Sequence, residues 1–198
     1  LGDVYKRQKS DRAHHGLAAQ FEAHSADRAY RAICYGVPNQ GDPRLLGTRG
    51  VSVEPGGVLC IQSGLARHKT DRQRQAVYFD GQGRHAVTRA RVLESFGAPP
   101  AMALLECRLE TGRTHQIRVH MAHAGHGLVG DPVYGGRRKP PAKAIGEAAA
   151  TEVAGFDRQA LHAAELGFDH PASGERLRFE APLPADMQSL LEALRNAG

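Results

Sequence analysis

The stretch between residues 105 and 136 contains the side chains that are best suited to chemistry. Arg113 lies within it, and from residue 116 to residue 121 polar and apolar residues alternate, in a segment that opens at Thr114. A period of two predicts a half-buried β-strand. Five glycines and an Asp-Pro pair follow between residues 125 and 136, which predicts a tight loop rich in turns. Cations beside a glycine loop suit close contact with an anionic ligand, so the pattern predicts a binding site and leaves its chemistry open.

Two clusters of basic residues lie near this stretch in the sequence. The first runs from residue 67 to residue 74, and the second follows the glycine loop. A solvated charged surface and contact with phosphates explain the first cluster equally well. The second cluster favours a groove that follows a nucleic-acid backbone. The residues that we predict to contact RNA are Arg67, Lys69, Arg72, Arg137 and Arg138.

Four histidines in the same stretch suggest a zinc site, namely His115, His120, His123 and His126. Their spacing differs from the HExxH and C2H2 zinc patterns. On the predicted strand, His115 and His120 would also point to opposite faces. The glycine loop lacks the Gly-Lys-Ser/Thr ending of a P-loop and the strand-GxGxxG-helix order of a dinucleotide site. We therefore expect no metal and no nucleotide cofactor, and a zinc-dependent hydrolase stays as the weakest alternative.

Length and composition limit the class of protein. The chain has 198 residues, of which 41% are hydrophobic, so a single domain with one good core is the simplest organisation. A formal charge of +5 is consistent with an RNA or DNA partner but does not show one. Cys34, Cys60 and Cys107 are widely spaced, which indicates buried thiols in a reducing compartment. No apolar run approaches the ~20 residues of a membrane helix, so we expect a cytoplasmic protein.

The remaining pattern predicts an α+β fold with a mainly antiparallel sheet and few flanking helices. We expect strands at residues 29–37, 58–61, 75–79, 85–96, 102–109, 114–121, 159–168 and 176–180. We expect helices at residues 11–25, at 143–153 and after Pro184. Turns at 80–83 and 110–112 should each join the two strands that flank them. Residues 38–55 should form a loop.

A family resemblance takes the interpretation further. LETGRTHQIRVHMAHAGHGLVGDPVYGG closely resembles a signature of the RluA-type pseudouridine synthases, which act mainly on bacterial large-subunit ribosomal RNA. DRAYRAICYGVP is similar to the tyrosine segment of that family, and RHKTDRQRQAVYFDGQGRHAVTRARVLESFG resembles its middle strands. RQALHAAELGFDHPASGERLRFEAPLPADMQSLLEALR is similar to its C-terminal end. The resemblance extends from about Lys9 to Arg195.

The resemblance implies a pseudouridine synthase catalytic-domain fold and a reaction. These enzymes break the N1 glycosidic bond of a uridine, turn the base and rejoin it through C5, without metal or cofactor. Arg113 matches the arginine that pairs with the nucleophilic aspartate. Tyr30 matches the tyrosine that packs on the flipped uracil and helps to remove the C5 proton; without the resemblance it would be interpreted as a core residue. Ile117 should form the apolar wall of the pocket, and Thr114 and His115 should contact the substrate.

The sequence departs from the family pattern at the nucleophile. The family aspartate lies in an HRLD-type motif roughly a dozen residues before the position of Lys9, and LGDVYKRQ resembles nothing in that region. Asp3 lies in the wrong context. We therefore expect residues 1–8 to be a non-native leader and residues 9–198 to be a partial catalytic domain that lacks its first part. The chain as written should have no synthase activity, whereas an intact parent should have it.

The expected partner is RNA, most commonly 23S-type ribosomal RNA, although some family members also modify tRNA. A second hypothesis is a non-catalytic RNA-binding module that kept the scaffold and lost the aspartate. An HRLD-type segment in frame ahead of Lys9 would favour the enzyme, and a genuine start codon just before Lys9 would favour the binding module.

Overall fold

The computed structural model describes residues 11–135 and 138–196, and this part of the chain forms one sheet and four helices. The strands are β1 (Asp27–Tyr35), β2 (Val51–Glu54), β3 (Val58–Arg67), β4 (Gln75–Tyr78), β5 (Arg84–Phe96), β6 (Met102–Leu109), β7 (Leu161–Asp169) and β8 (Arg176–Glu180). The helices are α1 (Asp11–Glu22), α2 (Gln116–His123), α3 (Ala142–Gly155) and α4 (Ala185–Arg195). The strand order is β2-β3-β5-β6-β1-β7-β8, with β4 paired to β3, and every named pair is antiparallel. The predicted α+β class is confirmed.

The sheet has two covered faces, as β1 shows. Successive residues of a strand point to opposite sides. Ile33 and Tyr35 belong to the core cluster that includes residues of α3 and α4. Ala32 and Cys34 belong to a second cluster, which includes residues of α2, and Tyr30 packs against it. Tyr30 therefore lies on the side of the sheet that α2 covers.

The predicted strand at residues 114–121 is wrong, because residues 116–123 form α2. His115 has a positive φ of 56° at the start of this helix and redirects the chain out of the sheet. β6 already pairs with β1 on one edge and β5 on the other, so no edge is free for a returning hairpin partner. Residues 116–121 are all buried, polar and apolar alike. The alternation in the sequence thus comes from a helix buried on all sides and not from the two faces of a strand.

The predicted hairpin across residues 80–83 is also wrong. β4 and β5 both pair with β3. β4 pairs with residues 64–67 of β3, and β5 pairs with residues 59–65 of β3. Gly64 and Leu65 pair with both strands, so β4 and β5 lie on opposite edges of β3 and not beside each other. β3 is also longer than the predicted 58–61. β2 forms within residues 38–55, which were expected to be a loop, because Val51 and Val53 pair with the first part of β3.

The other predicted elements are confirmed. α1, β1, β6, the β7–β8 hairpin and α4 all lie where the patterns predicted them. α3 spans the predicted helix, with a non-helical residue at Gly146 (φ 77°). Cys34, Cys60 and Cys107 are buried thiols. None of the helices in the described residues combines the length and the apolar composition that crossing a bilayer requires.

Candidate active site

A cavity of about 660 Å³ opens beside the turn that joins β6 to α2. The residues that line it are Phe21, Glu22, His24, Arg28, Tyr30, Arg84, Leu109, Gly112 and Arg113. Arg113 and Tyr30, the two predicted catalytic residues, thus line the same cavity although they are far apart in the sequence. Tyr30 comes from β1, in the middle of the sheet, and Arg113 comes from the turn.

Gln116 holds this turn in place. Its Nε2 donates hydrogen bonds to the Val87 carbonyl (2.9 Å) and to Thr88 Oγ1 (3.0 Å). Its Oε1 accepts hydrogen bonds from Thr111 Oγ1 (2.8 Å) and from the Arg113 backbone N–H (3.0 Å). Since Gln116 is buried, each of these bonds is shielded from water. The sequence interpretation missed this residue; a lone amide in a segment rich in cations was its only signal.

The guanidinium of Arg113 is surrounded by other cations. Its Nε donates a hydrogen bond to the His85 carbonyl (3.1 Å). No Asp or Glu among the described residues forms an ion pair with it. Burial, together with the positive charges of Arg84 and Arg28, lowers the pKa of Arg113. The site therefore has an excess of positive charge and is electrostatically suited to an anion.

Arg118, five residues further on, has a complete carboxylate partner. Its Nε and Nη2 each donate to Asp131 at 2.8 Å, and both side chains are buried. Asp131 also accepts hydrogen bonds from the backbone N–H groups of Val133 (2.9 Å) and Tyr134 (3.0 Å). Burial alone would raise the pKa of Asp131, but these four donated bonds hold it below its usual value. The pair ties α2 to the glycine loop.

Tyr134 links the glycine loop to two other segments. Its hydroxyl accepts a hydrogen bond from the Gln75 N–H (2.7 Å) and lies 3.0 Å from His115 Nδ1. The guanidinium of Arg118 lies 5.0 Å from the centre of its ring, within range of a cation–π interaction. These contacts hold His115 next to the glycine loop. Among the described residues, His115 is not one of those that line the cavity, although it was predicted to contact the substrate.

The remaining predicted substrate contacts lie around the cavity. Ile117 is buried in the core cluster against which Tyr30 and Leu109 pack, so it supports the cavity wall from behind. Thr114 is exposed and, within the described part of the chain, lies outside the lining.

The clustered histidines have separate partners. His120 lies between Ser63 and Thr88, at 2.9 Å from each hydroxyl, and burial lowers its pKa to about 3. His123 lies 2.9 Å from the carbonyl of Arg49 in a loop, and His126 lies 3.0 Å from the carbonyl of Tyr35 at the end of β1. The placement of His115 and His120 on opposite strand faces was wrong, because α2 is a helix. In the described residues, no group of three or more His, Cys, Asp or Glu is arranged to hold a metal ion.

The residues predicted to contact RNA lie in two places. Arg67, at the end of β3, and Lys69 and Arg72, in the following loop, are exposed. Leu65 pairs with Arg84, so β3 continues past the cavity edge towards these cations. The second place is beside the glycine loop. There the Arg138 side chain donates hydrogen bonds to the carbonyls of residues 125 and 135, each at 3.2 Å. Arg137 lies outside the described residues.

Comparisons with known proteins agree with this architecture. The family model described as RNA pseudouridylate synthase matches residues 9–123. Ribosomal large subunit pseudouridine synthase D of Zymomonas mobilis is 46% identical over 186 residues, which are 94% of this chain and 50% of the relative. The protein of the same name from Escherichia coli K12 is 50% identical over 135 residues, covering 68% of this chain and 40% of the relative.

A solved structure shows the same fold. Human RNA Pseudouridylate Synthase Domain Containing 4 superposes with a TM-score of 0.65 at 20% identity, covering 94% of this chain and 69% of that one. The chain belongs to the RNA pseudouridylate synthase family, and the RluA-type resemblance is confirmed. It spans about half the length of the curated relatives it matches.

Proposed function

We propose that this chain is the uridine-holding part of an RNA pseudouridine synthase that converts specific uridines to pseudouridine. The observation that carries the proposal is the single cavity lined by Arg113 and Tyr30. The reaction breaks the N1 glycosidic bond, rotates the uracil and forms a bond from C5 to the same ribose carbon. The proton on C5 leaves, and N1 gains one, so the product is an isomer of the substrate.

Arg113 is the partner of the nucleophilic aspartate in this proposal. An opposite charge within ~4–6 Å lowers a carboxylate pKa by ~1–3 units, which keeps the nucleophile ionised and oriented. In the described residues Arg113 has no such carboxylate, while its turn is fixed by Gln116. The cation is therefore placed for a carboxylate that must come from elsewhere, and the HRLD-type motif of the family supplies one.

Tyr30 is the surface on which the uracil packs. It is half-buried on β1 and rests on the core cluster, so its ring is held without losing access to the cavity. Extruding a base from structured RNA costs a few kcal/mol, which stacking on an aromatic ring helps to offset. Ile117 supports the wall behind it, and Thr114 and His115 contact the RNA outside the cavity.

The basic residues around the cavity bind the RNA backbone in this proposal. Arg67, Lys69 and Arg72 lie beyond the cavity edge, and Arg138 lies by the glycine loop. Arg137, which precedes Arg138 in the sequence, completes the second group of this proposal. Large-subunit ribosomal RNA is the substrate that the names of the relatives favour, with tRNA as the second candidate. The site of action is the cytoplasm.

The 198-residue chain should bind RNA without modifying it. Incubation with unmodified large-subunit RNA and mapping of pseudouridine tests this. We expect no product from the chain alone and product from a version preceded by an HRLD-type segment of the kind that the family resemblance implies. Clear product from the chain alone would contradict the role given to the missing aspartate. RNA binding without product from the extended version would favour the non-catalytic binding module.

A further inference from the structure

Arg28 is a half-buried cation that the proposed reaction does not use. It lies on β1, two residues before Tyr30, and lines the same cavity. Its Nε and Nη2 are buried and have no hydrogen-bond partner. Buried polar groups in folded proteins are almost always hydrogen-bonded, and an unpaired buried charge is costly. A guanidinium that only supported the fold would be expected to have a carbonyl or carboxylate partner.

The local structure directs this guanidinium towards Arg113. Arg28 lies over the ring of Phe21, 5.6 Å from its centre, so α1 packs against it on one side. On the other side its Nη1 lies against Gly112, where an added Cβ would be only 2.2 Å away. The absence of a side chain at residue 112 thus allows Arg28 to reach the turn that carries Arg113.

Three arginines therefore line one cavity. Arg84, from β5, is the third, and the positive charges of Arg84 and Arg28 repel that of Arg113. Glu22 is the acidic residue in the lining, and among the described residues it forms no ion pair with any of the three arginines. One carboxylate nucleophile would neutralise one of these charges, so the cluster has capacity for a second anion.

We propose that Arg28, with Arg84, forms a subsite for a phosphate group of the nucleotide whose uracil packs on Tyr30. The guanidinium fork matches phosphate oxygens in bidentate geometry. The cavity of about 660 Å³ falls within the size range of small-molecule sites and leaves room for base and phosphate together. The subsite places an anion beside the positive charges of Arg28 and Arg84 and fixes the ribose next to Arg113. This inference rests on the proposed function of the cavity.

The test uses the 198-residue chain with inorganic phosphate, uridine and uridine 5′-monophosphate as probes. Phosphate should raise the Tm of the wild type in a concentration-dependent manner and should not raise that of R28Q. Calorimetry should show uridine 5′-monophosphate binding about tenfold or more tightly than uridine, because hydrogen bonds to charged groups contribute about 1.5–3 kcal/mol. In R28Q this ratio should fall to about one, and R28K should restore only part of it.

R91Q is the matched control, because Arg91 is an exposed arginine on the same strand as Arg84, about 23 Å along it. It makes the same change in net charge and should behave like the wild type. E22Q should increase the affinity for phosphate by removing a nearby negative charge. Without any ligand, R28Q should be as stable as the wild type or more so, since it removes a half-buried charge that forms no ion pair among the described residues and lies near two other arginines.

Two results would overturn the phosphate subsite. One is equal stabilisation of R28Q and wild type by phosphate, and the other is equal affinity for uridine and uridine 5′-monophosphate. Phosphate binding without this nucleotide preference would show a site for free phosphate only. The proposed reaction can be contradicted without contradicting the subsite. If the extended chain makes no pseudouridine but still prefers uridine 5′-monophosphate to uridine, the proposed activity is wrong and the phosphate subsite is supported.

Discussion

Arg113 and Arg118 lie five residues apart, and their surroundings are opposite. Arg118 donates two hydrogen bonds to the buried Asp131, at 2.8 Å each. The Arg113 side chain donates a hydrogen bond to the backbone carbonyl of His85 and has the cations Arg28 and Arg84 as charged neighbours. The first guanidinium completes an internal ion pair, and the second forms no ion pair among the described residues. A cation with a full set of internal partners stabilises the fold, whereas a cation that is held in place without them is available for binding an anion.

The largest expected effect comes from breaking the complete pair. D131N removes the charge from Asp131 and leaves Arg118 as a buried unpaired cation, which should cost about 3–5 kcal/mol of unfolding free energy. Urea denaturation of D131N and wild type at pH 7 measures this. A loss below about 1 kcal/mol would show that the pair does not hold the glycine loop.

The next largest effect should come from Gln116, which lies between Arg113 and Arg118 in the sequence. Q116L leaves the Arg113 and Thr111 donors without their acceptor, at a cost of about 1–3 kcal/mol per unsatisfied group. RNA binding should weaken as well, because the turn that carries Arg113 loses its anchor. Urea denaturation and RNA titration check both outcomes. If Q116L is destabilised but binds RNA as tightly as the wild type, the turn that carries Arg113 does not contribute to RNA binding.

The pH dependence of the complete pair has a definite sign. The folded-state pKa of Asp131 is below its unfolded value of about 3.9, so its contribution to stability is fully present above that pH. It is lost as the pH falls from about 4 through the lower folded-state pKa. The stability difference between wild type and D131N should therefore be constant from pH 5 to pH 7 and shrink below pH 4. A difference that is unchanged at pH 3 would contradict this.

The smallest effect on stability should come from the incomplete site. R113Q removes a cation that has no ion pair among the described residues, so unfolding free energy should change by no more than about 0.5 kcal/mol. Affinity for RNA should fall, and the salt slope of binding should decrease by about one if Arg113 contacts a phosphate. Titrations at several salt concentrations measure this. A large loss of stability in R113Q would make Arg113 a structural residue like Arg118.

The fold class could be predicted from the sequence, and so could those cavity residues that belong to a family motif. Arg113 and Tyr30 were predicted from segments that resemble the family, and the structure brings them to one cavity. α2 was mistaken for a strand, because a helix buried on every side has no polar face, so its period of 3.6 is hidden. The alternation of Ile117 and Val119 with polar residues then had the period of a strand.

Arg28 and Gln116 could not be found from the sequence for a different reason. Their importance comes from contacts across the sheet: Gln116 bonds to β5, and Arg28 reaches the turn only because residue 112 is a glycine. Such contacts depend on strand order, and β4, β5 and β3 were not paired correctly from local patterns. Local patterns predict elements, whereas these side chains act between elements that are distant in the sequence.

We propose that Arg113 serves the nucleophile, and the rate of pseudouridine formation by an R113Q variant tests this role. The chain extended by an HRLD-type segment is incubated with unmodified large-subunit RNA, and pseudouridine formation is compared between wild type and R113Q. We expect R113Q to be about 10²–10³-fold slower, the cost of losing one preorganised charged group, while its unfolding free energy stays at the wild-type value. A wild-type rate in R113Q would show that Arg113 does not serve the nucleophile.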